Sequence, residues 1–165
     1  MAVATVAFIE KKAWSAGALI AFSCDRIFMK PATSMGSASP VVIGRGGKAQ
    51  ALGEKYVSAI RSHFASVAKK NGYPETLAVA MVDKEKIVDE VIIAKERLFI
   101  FHEDLQMYQQ RAEKEHKRFE FRRTVVKKGE LLNVDAEKAE DLYISSGTVS
   151  SVKDILDEFG ISSPE

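Results

Sequence analysis

The stretch from Ala13 to Val41 constrains the fold more than any other part of the chain, because small residues there join a strand to a helix. The β-branched and small residues 2–9 favour a buried strand. The run from Ala16 to Cys24 is apolar on every side, which predicts a helix buried all round. A second strand should follow and end at Pro31, since proline supplies no ladder donor. We therefore predict a strand–helix–strand unit with Ser15 at the start of its helix.

Composition indicates one compact domain and excludes several kinds of partner. With 165 residues and 46% hydrophobic content, the chain can build one substantial core. Basic residues number 24 against 23 acidic ones, so the net charge of +1 does not favour nucleic acid or an anionic membrane surface. The chain has a single cysteine, Cys24, so an intramolecular disulfide is excluded, and we expect Cys24 to lie in the core. We expect no metal ion and no other cofactor. No apolar run reaches the ~18 residues of a membrane span, and residues 1–10 lack a signal peptide's basic flank.

Downstream patterns predict alternating helices and strands and therefore an α/β fold. We expect an amphipathic helix from about Leu52 to Lys70, a short helix over Pro74–Met81, and a last helix capped by Ser151. Its inward residues should be Val152, Ile155, Leu156 and Phe159. Another helix should follow a short strand and be capped by Asn133 or Asp135. Connecting segments are predicted at Glu10–Lys12, Ala32–Ser39 and Gly44–Lys48, the last lacking the spacing of a phosphate-binding loop.

Residues 87–128 differ in composition and are predicted to form an inserted β-rich subdomain. Its elements should be two strands, a charged helix and a third strand, at Ile87–Ile93, Arg97–Phe101, Glu103–Lys117 and Phe119–Val126. Acidic residues alternate with the basic ones, which favours a solvated face over a nucleic-acid patch. His102 and His116 lack ligand spacing and should be exposed.

Ser15 is the candidate for chemistry within the first unit. A serine at a helix N-terminus meets free N–H groups and the positive end of the helix dipole, which together favour an oxyanion. The small residues Ala16 and Gly17 would allow a substrate backbone to approach. The alternative is that Ser15 only caps the helix, and the residues alone favour this alternative because serine is a common cap.

Three motifs, in order, resemble the protease domain of NfeD-type serine proteases in the ClpP/crotonase superfamily. They are Ala-Trp-Ser-Ala-Gly-Ala-Leu-Ile-Ala (13–21), Asp-Arg-Ile-Phe-Met-Lys-Pro (25–31) and Ser-Met-Gly-Ser-Ala-Ser-Pro-Val (34–41). Residues 55–83 and 129–139 also resemble that family, so the likeness covers most of the chain. The resemblance implies a ClpP/crotonase-like fold for residues 1–165.

By this resemblance Ser15 is the nucleophile, the Ala16 N–H an oxyanion donor and Lys55 the general base. Lys48 is the reserve base, because Lys55 does not project on the apolar face of its helix. His63 is a weaker candidate, since it lies in the middle of the same helix. The residues implied along the substrate cleft are Trp14, Gly17, Gly36 and Ser37.

Relatives of this type place the second oxyanion donor on a glycine-rich turn upstream of the nucleophile. This chain has no glycine before Gly17, so the resemblance implies a partial, N-terminally truncated domain. We expect a serine endopeptidase that forms an acyl-enzyme on peptide or protein substrates, mainly hydrophobic segments, and that assembles as a homo-oligomer. The resemblance also implies a membrane-anchored protein with this domain outside the cytoplasm. The alternatives are a catalytically impaired assembly or scaffold module of the same fold and, ranked below it, a crotonase-like acyl-CoA enzyme.

Overall fold

Short strands and helices alternate along the chain, which confirms the mixed α/β class. The computed structural model describes residues 3–43, 49–51 and 53–161. Its elements are β1 (Val6–Ile9), β2 (Lys12–Trp14), α1 (Ala16–Phe22), β3 (Arg26–Met29), β4 (Ser34–Gly36), β5 (Val41–Ile43), β6 (Ala49–Ala51), α2 (Glu54–Lys70), α3 (Glu75–Ala80), β7 (Val88–Ile93), β8 (Glu96–Phe101), α4 (Leu105–Lys114), β9 (Phe119–Val126), β10 (Asn133–Asp135), α5 (Ala136–Asp141), β11 (Gly147–Thr148) and α6 (Val152–Glu158).

A parallel sheet carries the strand–helix–strand unit. β3 is its central strand, with β1 on one side and β11 on the other. Phe28 pairs with Phe8 of β1 and with Gly147 of β11. The connection from β1 to β3 contains α1, so the predicted unit is confirmed. β1 begins at Val6 rather than near residue 2, and α1 ends at Phe22.

A second sheet, in the order β10-β4-β2, contains the short strand predicted before α5, whereas β2 and β4 form at segments where the sequence predicts connections. Lys12 begins β2, so the polar turn at Glu10–Lys12 is shorter than predicted. β4 lies inside the predicted loop Ala32–Ser39, and that prediction is wrong. Both strands are only three residues long, Lys-Ala-Trp and Ser-Met-Gly, which is too short to show the alternation that marks a strand. Their pairing partners, not their own residues, make them strands.

Helix α1 is buried on one side only, so the prediction of a helix buried all round is wrong. Ala18, Ala21 and Phe22 are in the core, whereas Ile20 is 66% exposed. An apolar sequence does not fix how many elements cover a helix, and one face of α1 meets solvent. Cys24, predicted in the core, is half-buried.

Helices α2 and α3 agree with their predictions and pack on the same core as α1. Asn71 is the C-cap of α2 and Gly72 follows with a φ of 79°, as the Asn-Gly stop signal predicts. Phe64 is buried, and its ring packs edge to face against the ring of Phe22, with the centroids 6.4 Å apart and an interplanar angle of 78°. In α3 and just after it, Leu77 and Met81 are fully buried.

A three-stranded antiparallel sheet, in the order β8-β7-β9, occupies the region of the predicted subdomain. The two strands, the charged helix α4 and the third strand are confirmed within a few residues. Val88 and Val126 of this sheet belong to the same apolar cluster as Phe22 and Leu77. That the region is an insertion remains a prediction.

The C-terminal segment shows which predicted cap is used. Asp135 caps α5, because its carboxylate accepts a 2.8 Å hydrogen bond from the Lys138 N–H. Ser151 caps α6 in a reciprocal box with Asp154, as predicted. Val152 is 58% exposed and Phe159 41% exposed, so their predicted inward position is wrong, whereas Ile155 is buried. The Phe159 ring still meets the Phe28 ring of β3 edge to face, with ring centroids 6.3 Å apart.

Candidate active site

Ser15 occupies a strained turn between β2 and α1. Its φ of 53° and ψ of −122° are uncommon for a residue with a side chain. The backbone is held from both sides, because the Ser15 N–H donates to the Gly36 carbonyl at 3.1 Å and the Ser15 carbonyl accepts from the Ala18 N–H at 3.0 Å. Backbone strain of this kind costs about 1–3 kcal/mol and persists only where surrounding contacts impose it.

The Ser15 hydroxyl does not cap the helix. Ser15 is at the N-cap position, yet its side chain accepts no hydrogen bond from the first turn of α1, and the residue is exposed. The alternative reading, a serine present only as a cap, therefore lacks its defining bond. A sharp strand-to-helix turn that exposes a serine hydroxyl is the arrangement of nucleophile elbows. The Ala16 N–H, at the first position of α1, has no acceptor within the helix.

Gly36 and Ser37 lie directly beside this turn. β2 and β4 run parallel with Trp14 opposite Gly36, which brings two of the predicted cleft residues next to Ser15. Gly36 is buried with a φ of 134°, and an added Cβ would lie 2.9 Å from the Asn133 Cα and closer still to the Leu132 carbonyl. Only glycine fits this position. Ser37 also has a positive φ, 46°, and its N–H donates to the Leu132 carbonyl at 3.1 Å.

Trp14 forms an exposed apolar surface next to Ser15. The ring is 46% exposed, and its Nε1 donates a 2.9 Å hydrogen bond to the Ser34 Oγ of β4. The Lys12 Nζ lies 4.4 Å from the ring centroid, a cation–π distance. The indole is therefore held at the surface in one orientation. On the other side of the turn, the position of Gly17 could hold a Cβ, since an added Cβ would be 3.6 Å from the Ala13 Cβ, an ordinary van der Waals distance.

Lys55 lies in the first turn of α2 and is exposed. Within the described residues, no hydrogen bond or ion pair joins it to Ser15, and its role stays a prediction. Its neighbour Glu54 accepts a 3.1 Å hydrogen bond from Arg61. Arg61 also binds the buried Asp83 carboxylate. The reserve base Lys48 lies outside the described residues, as does the predicted loop Gly44–Lys48.

The Arg61 contacts were not predicted from the sequence, because Arg61 lies in α2, Asp83 lies in the segment after α3, and no local pattern relates them. Burial disfavours the Arg61 charge, but hydrogen bonds to Asp83 and Glu54 outweigh it and hold the Arg61 pKa above its ordinary value. Through Arg61, the first turn of α2, where Lys55 lies, is thereby tied to Asp83 in the segment after α3. In the described part of the chain, no three His, Cys, Asp or Glu side chains are arranged to hold a metal ion.

The model of the family described as NfeD1b, N-terminal domain, matches residues 1–120. The chain belongs to this family. A curated relative, the membrane protein NfeD1b of Bacillus subtilis (strain 168), is 28% identical over 158 residues, which are 96% of this chain and 28% of the relative. The chain thus spans less than a third of that relative's length.

Two solved structures share the fold of this NfeD1b-type domain. Both are variants of the 1510-N membrane-bound stomatin-specific protease, one with a lysine-to-alanine change and a bound substrate peptide, the other with a serine-to-alanine change. Each has a TM-score of 0.63 and 15% identity over 94% of this chain, and the match covers 52% and 55% of the two proteins respectively.

Proposed function

We propose that this NfeD1b-type domain is a serine peptidase whose nucleophile is Ser15. The observation that carries the proposal is the Ser15 turn itself: a strained serine, exposed at a strand-to-helix junction, with no capping bond from its hydroxyl. A serine kept only for helix stability would form that bond and adopt an extended backbone, as Ser151 does at the start of α6.

In the proposed reaction, the Ser15 Oγ attacks the carbonyl carbon of a peptide bond as its proton passes to the neutral amine of Lys55. The peptide oxygen takes the negative charge of the tetrahedral intermediate and accepts from the Ala16 N–H. When the carbon–nitrogen bond breaks, the leaving amine receives the proton and the acyl group remains on Ser15 as an ester. Water then attacks the ester with the same lysine as base, which releases the acid and restores the hydroxyl.

Lys55 is the proposed base because it is at the start of the helix that packs on α1. A lysine acts as a base only when it is neutral. Lys48 remains the alternative base. The protease that shares this fold is itself known in a serine-to-alanine and a lysine-to-alanine form, which supports testing one residue of each type here.

The proposed substrate is a peptide that lies across Trp14, Gly17, Gly36 and Ser37. The exposed indole of Trp14 supplies apolar contact area, which supports a preference for hydrophobic segments. The lysine variant of the fold's solved relative holds a substrate peptide, which also supports a peptide ligand. The ClpP/crotonase-like assignment and a second oxyanion donor upstream of Ser15 are part of the same proposal.

Labelling with a fluorophosphonate, which reacts with activated serines, tests the proposal. Ser15→Ala should abolish labelling, and loss of the true base should slow it by at least about 100-fold. The lysine variants are Lys55→Ala and Lys48→Ala, with the exposed Lys69→Ala of α2 as a matched control. Ser23→Ala is the control serine, because its hydroxyl donates within α1 to the Leu19 carbonyl at 2.8 Å. Equal labelling of the unsubstituted protein and Ser15→Ala would refute the proposal.

The second candidate function is a non-catalytic assembly module. The observation that favours it is the 66% exposure of Ile20 on α1, an apolar side chain that a second copy of the chain could cover. Light scattering should then show a discrete homo-oligomer, and Ile20→Glu should dissociate it. The NfeD1b relative is named a membrane protein, which supports membrane association of the intact protein. The helices of the described residues include none with the length and hydropathy of a membrane span.

A further inference from the structure

The helix that carries Ser15 and the helix that carries Lys55 are joined at their C-terminal ends by one side chain. The Asn71 Nδ2 donates to the Phe22 carbonyl in the last turn of α1 at 2.8 Å. The same nitrogen donates to the Val67 carbonyl in the last turn of α2 at 3.2 Å. One half-buried carboxamide therefore bridges the two helices: it donates to the Phe22 carbonyl of α1 and to the Val67 carbonyl of α2, which also accepts from the Asn71 backbone N–H at 3.2 Å.

Aromatic contacts fix the orientation at this junction. The Phe22 ring lies 6.4 Å from the Phe64 ring and 5.4 Å from the Tyr73 ring, both edge to face. The Tyr73 hydroxyl donates to the Cys24 carbonyl at 2.9 Å, just after α1. Burial raises the Tyr73 pKa to about 12, so this donor stays protonated at neutral pH. The junction thus combines apolar packing with two polar bonds from the α2–α3 turn to α1 and the residues that follow it.

The two bonds set the direction of a long helix. Sixteen residues separate Lys55 from Asn71, about 24 Å at 1.5 Å per residue. A rotation of about 5° at Asn71 would therefore move Lys55 by roughly 2 Å, enough to break a nucleophile–base contact. Two further ion pairs of α2 within the described residues, Arg61 to Asp83 and Lys69 to Glu75, lead toward α3 and the residues after it, and not toward α1.

We infer that Asn71 is a positioning residue for the Ser15–Lys55 pair, because it fixes α2 against the helix that begins at the nucleophile. This inference rests on the proposed function. A purely structural role is the competing explanation, since asparagine is common at helix C-termini and such a cap stabilises the fold without any effect on chemistry. The two explanations differ in what they do to the rate and its pH dependence.

Fluorophosphonate labelling of Asn71→Asp and Asn71→Leu separates them. Asp has the same shape but no donor, and Leu has the same branching at Cγ but is apolar. We expect both folded variants to label about tenfold more slowly at neutral pH, with a changed pH profile, because the base no longer meets Ser15 in one geometry. Ser62→Ala is the matched control, since its hydroxyl bonds within α2 to the Ser58 carbonyl at 2.9 Å and does not cross to α1.

The folded fraction is measured by urea denaturation, and Tyr73→Phe gives a milder variant if either Asn71 substitution unfolds the chain. Tyr73→Phe keeps the ring and removes only the bond to Cys24, so it should slow labelling less than the Asn71 variants and in the same pH-dependent way. Folded variants that label at the unsubstituted rate and pH profile would overturn the positioning role while Ser15→Ala still showed the proposed function. Absence of any Ser15-dependent labelling would overturn both.

Discussion

Ser15 has a backbone conformation that glycine would adopt with less strain. We expect Ser15→Gly to be more stable than Ser15→Ala, with a free energy of unfolding about 1 kcal/mol higher, because the relief of backbone strain exceeds the entropic cost of glycine. Both variants lose the hydroxyl, so both should lose labelling. Urea denaturation gives the free energies. Ser23, at the other end of α1, has a φ of −77° and provides the control.

At Ser23 the order should reverse, with Ser23→Gly less stable than Ser23→Ala by about 0.5–1 kcal/mol, since glycine gains nothing from an ordinary φ. If the glycine variant is less stable than the alanine variant at Ser15 as well as at Ser23, Ser15 stores no strain. Proteins that keep strain at a reactive residue exchange stability for function, and this pair of measurements shows whether the Ser15 turn does so.

Single residues of the site were predictable only in part. The small residues and the resemblance singled out Ser15, Trp14, Gly36 and Ser37, and the pairing of β2 with β4 brings Gly36 and Ser37 beside the Ser15 turn. Their proximity could not be read from the sequence, because strands of three residues carry no periodic signal. The roles of Lys55, Lys48 and Ala16 stay predictions. Asn71 was recognised only as a stop signal, since a bond over 49 positions leaves no local trace.

Among the elements, the sheet β8-β7-β9 is tied to α5 by a charged network. The Glu90 carboxylate is 6% exposed and accepts from the Arg97 and Arg123 Nε atoms at 2.8 and 2.7 Å. Both arginines also bind Asp141 of α5, at 3.1 and 2.7 Å. Burial disfavours each carboxylate, but the hydrogen bonds to the arginines outweigh it, so the pKa values of Glu90 and Asp141 lie below their ordinary values.

This network should make stability fall in acid. A lowered folded-state pKa means that the unfolded chain binds protons first as pH decreases, so the contribution is complete above about pH 4.5 and is lost as pH falls through the folded pKa. Glu90→Gln should lower the free energy of unfolding by about 2 kcal/mol at pH 7, and the difference should shrink below pH 4. Urea denaturation from pH 7 to pH 3 measures both.

Glu115→Gln is the control for this experiment. Glu115 binds Arg111 and Lys117 on the exposed surface, at 2.9 and 2.6 Å. The hydrogen bonds from Lys117 and Arg111 lower its pKa to about 2, yet salt screens an exposed pair. At high salt Glu115→Gln should match the unsubstituted protein, while the Glu90→Gln deficit at pH 7 persists. An equal response of the two variants to salt would show that the ion pairs of Glu90 are screened by salt as much as those of the exposed Glu115.

Helices and their ends were the elements that the sequence predicted well. Caps and stops act locally, and Ser151, Asp135 and Asn71 each occupy the end that the pattern indicates. Exposure was predicted less well. Ile20 and Val152 face solvent because the number of covering elements is a property of the assembled fold. The strands β2 and β4 were missed for the same reason, since only their partners define them.

On the scale of the whole molecule, the apolar core runs without interruption from α1 to the sheet of β7, β8 and β9. Val126 of β9 is 2% exposed and belongs to the cluster that contains Phe22, Phe64 and Leu77. A region that shares its core with the rest of a domain should unfold with it. The single tryptophan, Trp14, lies on β2 next to Ser15 and reports on the site.

We therefore expect one cooperative transition for the candidate site and the β-rich region together. Val126→Ala should lower the free energy of unfolding by about 2 kcal/mol and shift the Trp14 fluorescence and far-ultraviolet circular dichroism midpoints equally. Val152→Ala, a substitution at a 58% exposed position, should shift neither by more than about 0.5 kcal/mol. If residues 87–128 fold as an independent subdomain, Val126→Ala will lower only the dichroism midpoint and leave that of Trp14 unchanged. The two midpoints therefore decide whether the strained Ser15 turn depends on the distant sheet for its stability.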